Sequence, residues 1–282
     1  MGKIIVICNQ KGGTGKTTTA INLATILALF GEEILLVDMD PQGNTTSGIG
    51  ISKEEIEKSI YDVLLDRINV REAIKKTFIP NLSILPCNIN LTGAEVELVG
   101  VLSRETRLKR ALTSIKPEYS YIFIDSPPSL GLLTLNALVA SDSILIPIQC
   151  EFYALEGVSQ LMNTINLIRD GLNANFFIEG VLLTMADFRT NLTAEVINEI
   201  KIFFKEKVYH TIIPRNIKLS EAPSFGKPIV LYDKNSLGAK KYEEFAMEFI
   251  KNEINYSNYL KNIELCMLKA EKKSSAIDPS IF

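Results

Sequence analysis

A glycine-rich segment near the N-terminus has the residue types of a phosphate-binding loop. Its eight residues are Lys11, Gly12, Gly13, Thr14, Gly15, Lys16, Thr17 and Thr18. Glycines let consecutive backbone N–H groups turn toward phosphate oxygens, and the N-terminus of a following helix favours negative charge. In such a loop the Lys16 ammonium lies along the β- and γ-phosphates, and the Thr17 hydroxyl is a ligand of Mg²⁺. The segment therefore predicts a site for a nucleoside triphosphate and Mg²⁺.

Aspartates end or follow two further apolar runs of the chain. Asp38 and Asp40 come at the end of ILLV, and Asp125 comes at the end of YIFI. Because ligands of open α/β sheets bind at the carboxyl ends of the strands, these carboxylates are expected beside the phosphate loop. An aspartate in this position typically holds Mg²⁺, so we assign Asp125 to the metal together with Thr17. The chain has one histidine, but phosphoryl transfer depends mainly on positioning and charge stabilisation, which carboxylates and a divalent ion supply.

Compact apolar runs that predict strands alternate with stretches long enough for helices. They lie at residues 3–8, 34–38, 82–86, 121–125, 143–148, 178–184 and 208–213. Continuous apolar strands indicate a sheet buried on both faces, and the alternation indicates parallel βαβ units. After the loop, residues 20–28 have helical spacing, and Gly31 stands where a C-terminal cap is expected. The predicted fold class is α/β, a doubly wound and mostly parallel sheet with helices on both faces.

The composition is that of a folded protein. Of the 282 residues, 46% are hydrophobic and 22% are charged, which excludes global disorder. No run of 18 apolar residues occurs, so no membrane span is expected. The four cysteines, Cys8, Cys87, Cys150 and Cys266, are scattered without a C-x-x-C pair. This spacing argues against a zinc or iron–sulfur site within one chain and indicates a reducing cytoplasm.

The loop departs from the ordinary pattern G-x-x-x-x-G-K-[ST], because Gln10 stands five residues before Gly15 and a second lysine, Lys11, stands five before Lys16. This form resembles the deviant Walker A loop of the ParA/MinD ATPases. The segments DPQGN, DSPPSLGLLTLNAL, EFYALEG and IPRNIKLSEAPSFGKPI, together with Arg189 and Thr190, resemble chromosomal ParA proteins of the Soj type. The resemblance covers residues 3 to about 250, which we treat as an ATPase domain at 1–250.

The resemblance implies roles for individual residues. Lys11 reaches the phosphates bound by the partner subunit in a nucleotide-sandwich dimer, and so couples ATP binding to dimerisation. Asp40 positions or deprotonates the attacking water, and Asp38 supports the same segment. Pro214 and Asn216 close over the adenine base. Turn-capping by Asp38 and Asp40, and a structural turn at 214–216, are the alternatives for these residues.

Basic residues are concentrated in one part of an acidic chain. Residues 189–241 contain ten Lys or Arg and five Asp or Glu, a balance of +5, whereas the whole chain carries −3, so the remainder carries −8. A local excess of this kind can face DNA phosphates in a salt-sensitive, sequence-independent way, or be an ordinary solvated surface. With the resemblance, which implies non-specific DNA binding by the ATP-bound dimer, we assign Arg189, Arg215, Lys218 and Lys227 to double-stranded DNA.

The C-terminal stretch 251–282 is rich in Lys, Asn, Glu and Ser and predicts a helical or frayed tail. An apolar stripe begins at Phe245 and Phe249, but nearby glutamates dilute any attraction to anionic lipid, so we expect a helix packed on the sheet and no membrane partner. The resemblance as a whole implies a cytoplasmic, nucleoid-associated partitioning ATPase stimulated by a ParB-like protein. A MinD-like membrane-cycling division regulator, an iron–sulfur carrier and a non-catalytic nucleotide switch remain as alternatives.

Overall fold

One eight-stranded sheet organises the part of the chain that the computed structural model describes, residues 2–151, 154–172, 175–250 and 256–274. Its strands are β1 (Lys3–Ile7), β2 (Ile34–Asp38), β3 (Lys75–Lys76), β4 (Leu82–Leu85), β5 (Tyr121–Asp125), β6 (Ser143–Gln149), β7 (Phe177–Ala186) and β8 (Val208–Pro214). They lie in the order β3-β4-β2-β5-β1-β6-β7-β8, and all neighbours are parallel except β3 and β4. The predicted doubly wound, mostly parallel sheet is confirmed.

Helices connect the strands. They are α1 (Lys16–Phe30), α2 (Asn44–Gly48), α3 (Ile60–Leu64), α4 (Val70–Ala73), α5 (Leu91–Leu98), α6 (Arg107–Thr113), α7 (Leu132–Ala140), α8 (Ala154–Leu172), α9 (Asn191–Phe204), α10 (Ile217–Glu221), α11 (Ile229–Tyr232), α12 (Leu237–Ile250) and α13 (Tyr256–Ser274). The predicted cap of α1 is confirmed, because Gly31 has a φ of 108° and its N–H bonds to the Ala28 carbonyl. None of the helices in the described ranges is long and apolar enough to cross a membrane.

Each face of the sheet carries its own apolar core. In β1, Ile4 and Val6 belong to one core, whereas Ile5 and Ile7 belong to the other. Successive strand side chains point to opposite faces, so an uninterrupted apolar run is what a sheet covered on both sides requires. The order of the strands places β1 at the centre, with β5 on one side and β6 on the other. The phosphate loop that follows β1 therefore lies at the point where the strand order reverses, which is where such sheets bind ligands.

The strand limits predicted from the sequence agree with the structure to within one or two residues at each end, and one short strand at the edge of the sheet was not predicted. The predicted runs 34–38 and 121–125 coincide with β2 and β5, but β7 extends three residues beyond the predicted run, counting both ends. The short strand β3 was not predicted, because its residues Lys75 and Lys76 give no apolar signal and it pairs with β4 only at the sheet edge.

Two helices complete the C-terminal part of the chain. Phe245 and Phe249 of α12 are buried in the core that also contains α1, and α12 packs against β8. In α13, Tyr259 packs edge-on against Phe30 with ring centroids 4.8 Å apart. Asn262 donates to the Leu29 carbonyl at 2.9 Å, an acceptor that the end of α1 leaves open. The predicted tail thus contains a packed helix at 256–274, and its other residues, 251–255 and 275–282, lie outside the described ranges.

Candidate nucleotide-binding site

The phosphate loop turns tightly between β1 and α1. Gly13 and Gly15 have φ values of 74° and 87°, a left-handed region in which a side chain is strained, so glycine is required at both positions. The Thr14 side chain is buried, and its carbonyl accepts a 2.8 Å hydrogen bond from the Thr184 hydroxyl of β7. Gly12 and Gly13 are exposed at the top of the loop. The backbone of the loop is therefore fixed from below and open toward a ligand from above.

Lys16 points its ammonium group back across the loop. The residue is 7% exposed, and Nζ donates to the Lys11 carbonyl at 3.2 Å. Burial lowers the pKa of Lys16, and the charges of Asp125 and Asp40 oppose that shift. A phosphate oxygen is a stronger acceptor than a neutral carbonyl, because hydrogen bonds between charged groups are roughly twice as strong as neutral ones. The ammonium is thus held where a bound phosphate can replace the carbonyl.

Asp125 and Thr17 form a pair that fits a divalent cation. Oδ2 of Asp125 accepts hydrogen bonds from the hydroxyls of Thr17 at 2.7 Å and Thr45 at 2.6 Å. Oδ1 is buried and has no hydrogen-bond partner among the described residues. Burial raises the pKa of Asp125 to about 6, which means that the hydrogen bonds and charges around this carboxylate do not fully offset the cost of burying its negative charge. The residues therefore fit Mg²⁺, which is commonly held by one or two carboxylates with phosphates and water rather than by an all-protein cage; within the described ranges no larger His, Cys, Asp or Glu cluster could hold a metal.

The raised pKa of Asp125 predicts how the substitution Asp125→Asn changes stability and Mg²⁺ binding. Because the folded pKa is raised above the ordinary value, ionisation of Asp125 costs stability as the pH rises from about 4 through about 6. At pH 8 and without nucleotide, we expect the unfolding temperature of the variant to be at least that of the wild type, with a free energy of unfolding larger by up to about 3 kcal/mol. We also expect the variant to lose Mg²⁺-dependent nucleotide binding. Thermal unfolding from pH 4 to 8, with and without ATP and Mg²⁺, measures both. A variant that keeps the wild-type Mg²⁺ dependence contradicts the assignment.

Asp38 and Asp40 form hydrogen bonds within the segment of residues 38–46, which begins at the last residue of β2, at the same end of the sheet as the phosphate loop. Asp38 stands opposite Asp125 in the register of β2 and β5, and its Oδ2 accepts from the backbone N–H and hydroxyl of Thr46 at 2.8 and 2.7 Å. Burial, and then the nearby Asp125 charge, raise the pKa of Asp38 to about 7. Asp40 is half-buried, and its Oδ1 accepts from the Gln42 N–H at 2.9 Å. Both aspartates therefore cap this segment, and Asp40 also lies near enough to Lys16 to act on its charge.

A pocket of about 540 Å³ opens beside the loop. Thr17 and Thr18 line one side, and Pro214 and Asn216, predicted to close over the base, line the other. Asn216 also begins α10, because its Oδ1 accepts from the Lys218 N–H at 2.9 Å. The fold thus brings together four of the predicted residues that are about 200 positions apart in the chain.

Sequence reasoning missed several residues near the site, among them Thr184, Thr45 and Met185. Thr184 anchors the loop, and Thr45 shares Asp125 with Thr17. Met185 lines the pocket with a φ of 52°, a strained conformation for a side chain of this size. Neither threonine has a distinctive neighbourhood in the sequence, and a left-handed methionine gives no local signal because glycine or asparagine is usual there.

Lys11 is bound to its own subunit. Its Nζ lies 3.2 Å from Oε2 of Glu151, and the two side chains are 36% and 44% exposed. Glu151 follows β6 directly and is thus a further carboxylate at a strand end. That signal was available in the sequence, since the same reasoning identified Asp38 and Asp125.

The predicted DNA-contact residues are mostly paired with carboxylates of the same chain. The Arg189 side chain is 86% exposed but binds Asp187 at 2.6 Å, and Asp187, with its pKa lowered to about 2 by that hydrogen bond, also interacts with Arg215. Arg215 also lies 3.4 Å from Glu151, and Lys218 lies 2.9 Å from Glu221. Lys227, which is half-buried, follows the turn at Gly226. Arg189 and Arg215 are thus neighbours across Asp187.

Comparisons with known proteins show which proteins this chain is similar to. A family model described as an AAA domain matches residues 2–178. The sporulation initiation inhibitor protein Soj of Bacillus subtilis is 60% identical over 252 residues, which are 89% of this chain and 100% of that protein. The chromosome partitioning protein ParA of Myxococcus xanthus is 54% identical over 253 residues, 90% of this chain and 89% of that protein. A solved structure of Mycobacterium smegmatis cobyrinic acid a,c-diamide synthase, with a bound ATP analogue and magnesium, has 34% identity and a TM-score of 0.76, and covers 87% of this chain and 93% of that one.

Proposed function

This chain belongs to the ParA/MinD family of deviant Walker A ATPases and is similar to its Soj-type chromosome partitioning members, and we propose that it partitions DNA by an ATP-driven cycle. ATP and Mg²⁺ lock two subunits face to face, and the dimer binds double-stranded DNA without sequence preference. A ParB-like partner then stimulates hydrolysis, which releases the dimer. The observation that carries the proposal is the two-lysine phosphate loop beside the Thr17–Asp125 pair.

The residues of the site have separate tasks in this cycle. Lys16 exchanges its carbonyl partner for the phosphates, and the backbone N–H groups of Gly12 to Gly15 turn toward the same oxygens. Thr17 and Asp125 hold Mg²⁺, which, when bound, neutralises charge that develops on the phosphates. Asp40 orients or deprotonates the water that attacks the γ-phosphorus. Asp38 fixes the segment that contains Asp40, because its carboxylate accepts two hydrogen bonds from Thr46.

We place the protein in the cytoplasm on nucleoid DNA. A MinD-like membrane cycle is the second candidate within the family, but Phe245 and Phe249, with which the apolar stripe begins, are buried in the core that α12 covers. The iron–sulfur alternative is disfavoured because all four cysteines are buried and burial raises the pKa of their thiols, for Cys150 to about 12. Light scattering with and without ATP, followed by phosphate release with DNA and a ParB-like protein, tests the proposal. A chain that stays monomeric with ATP contradicts it.

The proposed DNA surface predicts that two substitutions change DNA affinity in opposite directions. Arg189→Glu replaces attraction by repulsion in each subunit, so we expect the dimer to bind duplex DNA at least about tenfold more weakly. The slope of log affinity against log salt should be less steep by about 2, because two phosphate contacts are lost. Asp187→Asn removes the carboxylate that binds Arg189, so it should strengthen DNA binding.

A mobility assay across a salt series measures these effects, with light scattering as the control for dimerisation. Both variants should dimerise with ATP as the wild type does, because Lys11 and Lys16 are unchanged. If Arg189→Glu keeps wild-type DNA affinity, or if wild-type DNA binding needs no nucleotide, the surface is wrongly assigned, although the ATPase assignment stands.

A further inference from the structure

We propose that Glu151 is a positioning residue for Lys11, which it holds on its own subunit until nucleotide-bound dimerisation draws the lysine away. Formation of the dimer then breaks one Lys11–Glu151 ion pair in each subunit, so Glu151 opposes dimerisation. The inference rests on the proposed function, in which Lys11 reaches the phosphates of the partner subunit.

The carboxylate of Glu151 collects donors from three separate segments. Lys11 Nζ comes from the phosphate loop at 3.2 Å, and a guanidinium N–H of Arg215 comes from the segment after β8 at 3.4 Å. The Gln149 side-chain amide, from the end of β6, binds the same oxygen as Arg215. The Glu151 N–H also bonds to the Gln149 carbonyl at 2.8 Å, which fixes the residue against β6. Glu151 is thus held in place from one side, with Lys11 as the donor on its other oxygen.

Only the side chain of Lys11 has to move for release. The Lys11 N–H donates to Oδ1 of Asn9 at 3.1 Å, and Asn9 Nδ2 donates to the Pro147 carbonyl at 2.7 Å. The backbone of the loop is therefore tied to β6 on the same side of the site as Glu151. A lysine ammonium on a flexible stem can leave a carboxylate by rotamer changes alone. In the proposed dimer the ammonium leaves Glu151 for the phosphates of the partner subunit, so the two sites compete for it.

The exposure of the pair sets the size of the effect. Partly exposed ion pairs are weak, and losing one costs a factor of roughly 1.4 to 5 in an equilibrium constant. A twofold-symmetric dimer breaks two of them, so the penalty on the association constant is about two- to thirtyfold. Such a penalty is enough to tune dimerisation without blocking it, because the phosphates carry more charge than one carboxylate.

The test compares Glu151→Gln with the wild type in the full chain. Glutamine keeps the length of the side chain but removes the charge that holds Lys11. With a slowly hydrolysed ATP analogue and Mg²⁺, we expect the dimer dissociation constant, measured by light scattering over a concentration series, to fall about two- to thirtyfold. The difference between the two proteins should shrink as salt is raised, since partly exposed charges are screened. Nucleotide affinity at protein concentrations far below dimerisation should not change.

Two further variants make the result decisive. Glu72→Gln breaks the exposed Lys58–Glu72 pair, 2.7 Å long and remote in sequence from the loop, and should leave dimerisation unchanged. Lys11→Met should not dimerise if the proposed function is right. If Lys11→Met stays monomeric while Glu151→Gln dimerises as the wild type does or more weakly, the inference about Glu151 is overturned and the proposed function stands. If the wild type itself stays monomeric, both fail, and tighter nucleotide binding by monomeric Glu151→Gln also overturns the inference, because Lys11 then acts within its own subunit.

Discussion

Lys16→Ala is expected to lose ATP binding by at least about a hundredfold, and with it dimerisation and DNA binding. The Lys16 ammonium is buried against the loop and supplies the charge that meets the phosphates. Hydrogen bonds between charged groups contribute about 1.5–3 kcal/mol each, and this lysine can make more than one of them. The three losses should occur together, since dimerisation and DNA binding both depend on the nucleotide.

The stability of the same variant separates a lost ligand contact from misfolding. Burial lowers the pKa of Lys16, which means that the folded chain bears a desolvation cost for this charge. Removing the ammonium removes that cost and offsets part of the packing lost with the buried stem of the side chain, so the variant should still unfold in one cooperative transition without nucleotide. Calorimetric titration with ATP and thermal unfolding measure the two quantities, and Lys58→Ala, at an exposed ion pair, is the control. ATP binding at wild-type affinity would rule out the phosphate-loop assignment.

The elements that carry the chemistry could be predicted because their signals are local. The glycines at 13 and 15, the apolar run before them and the helical spacing after them all lie within thirty residues, and each has a direct physical reason. The rule that ligands bind at the carboxyl ends of strands also brought Asp38 and Asp125 together correctly, since the register of β2 and β5 pairs them. That prediction required only that β2 and β5 run parallel, because their carboxyl ends then meet at the same edge of the sheet.

What could not be predicted depends on contacts between distant segments. Thr184 lies 170 residues from its partner Thr14, and Glu151 lies 140 residues from Lys11. Neither distance can be read from a single sequence, because it depends on which strand is placed beside β1. The left-handed backbone of Met185 cannot be read from the sequence either, because the local preference of a methionine opposes it. The strand-end position of Glu151 could be read from the sequence, but its pairing with Lys11 could not, and Thr184 and Met185 gave no signal before the structure.

Asp40→Ala is expected to keep ATP binding and dimerisation but to lose hydrolysis by about a hundredfold or more, the usual contribution of a general base. Because release from DNA depends on hydrolysis in the proposed cycle, the variant should remain on DNA as a trapped dimer. Phosphate release with DNA and a ParB-like protein, together with the rate of dissociation from labelled duplex, measures both effects.

The alanine variant alone does not separate chemistry from structure, because Asp40 Oδ1 also accepts the Gln42 N–H at 2.9 Å and so caps its turn. Asp40→Asn resolves this point. An asparagine oxygen can accept the same hydrogen bond and keep the turn, but the neutral amide cannot take a proton from water. If Asp40 acts on the attacking water, the asparagine variant should hydrolyse ATP as slowly as the alanine variant while its thermal stability stays at the wild-type value. If Asp40→Asn turns over at the wild-type rate and only Asp40→Ala is impaired, the carboxylate is a turn cap, and another group must orient the water.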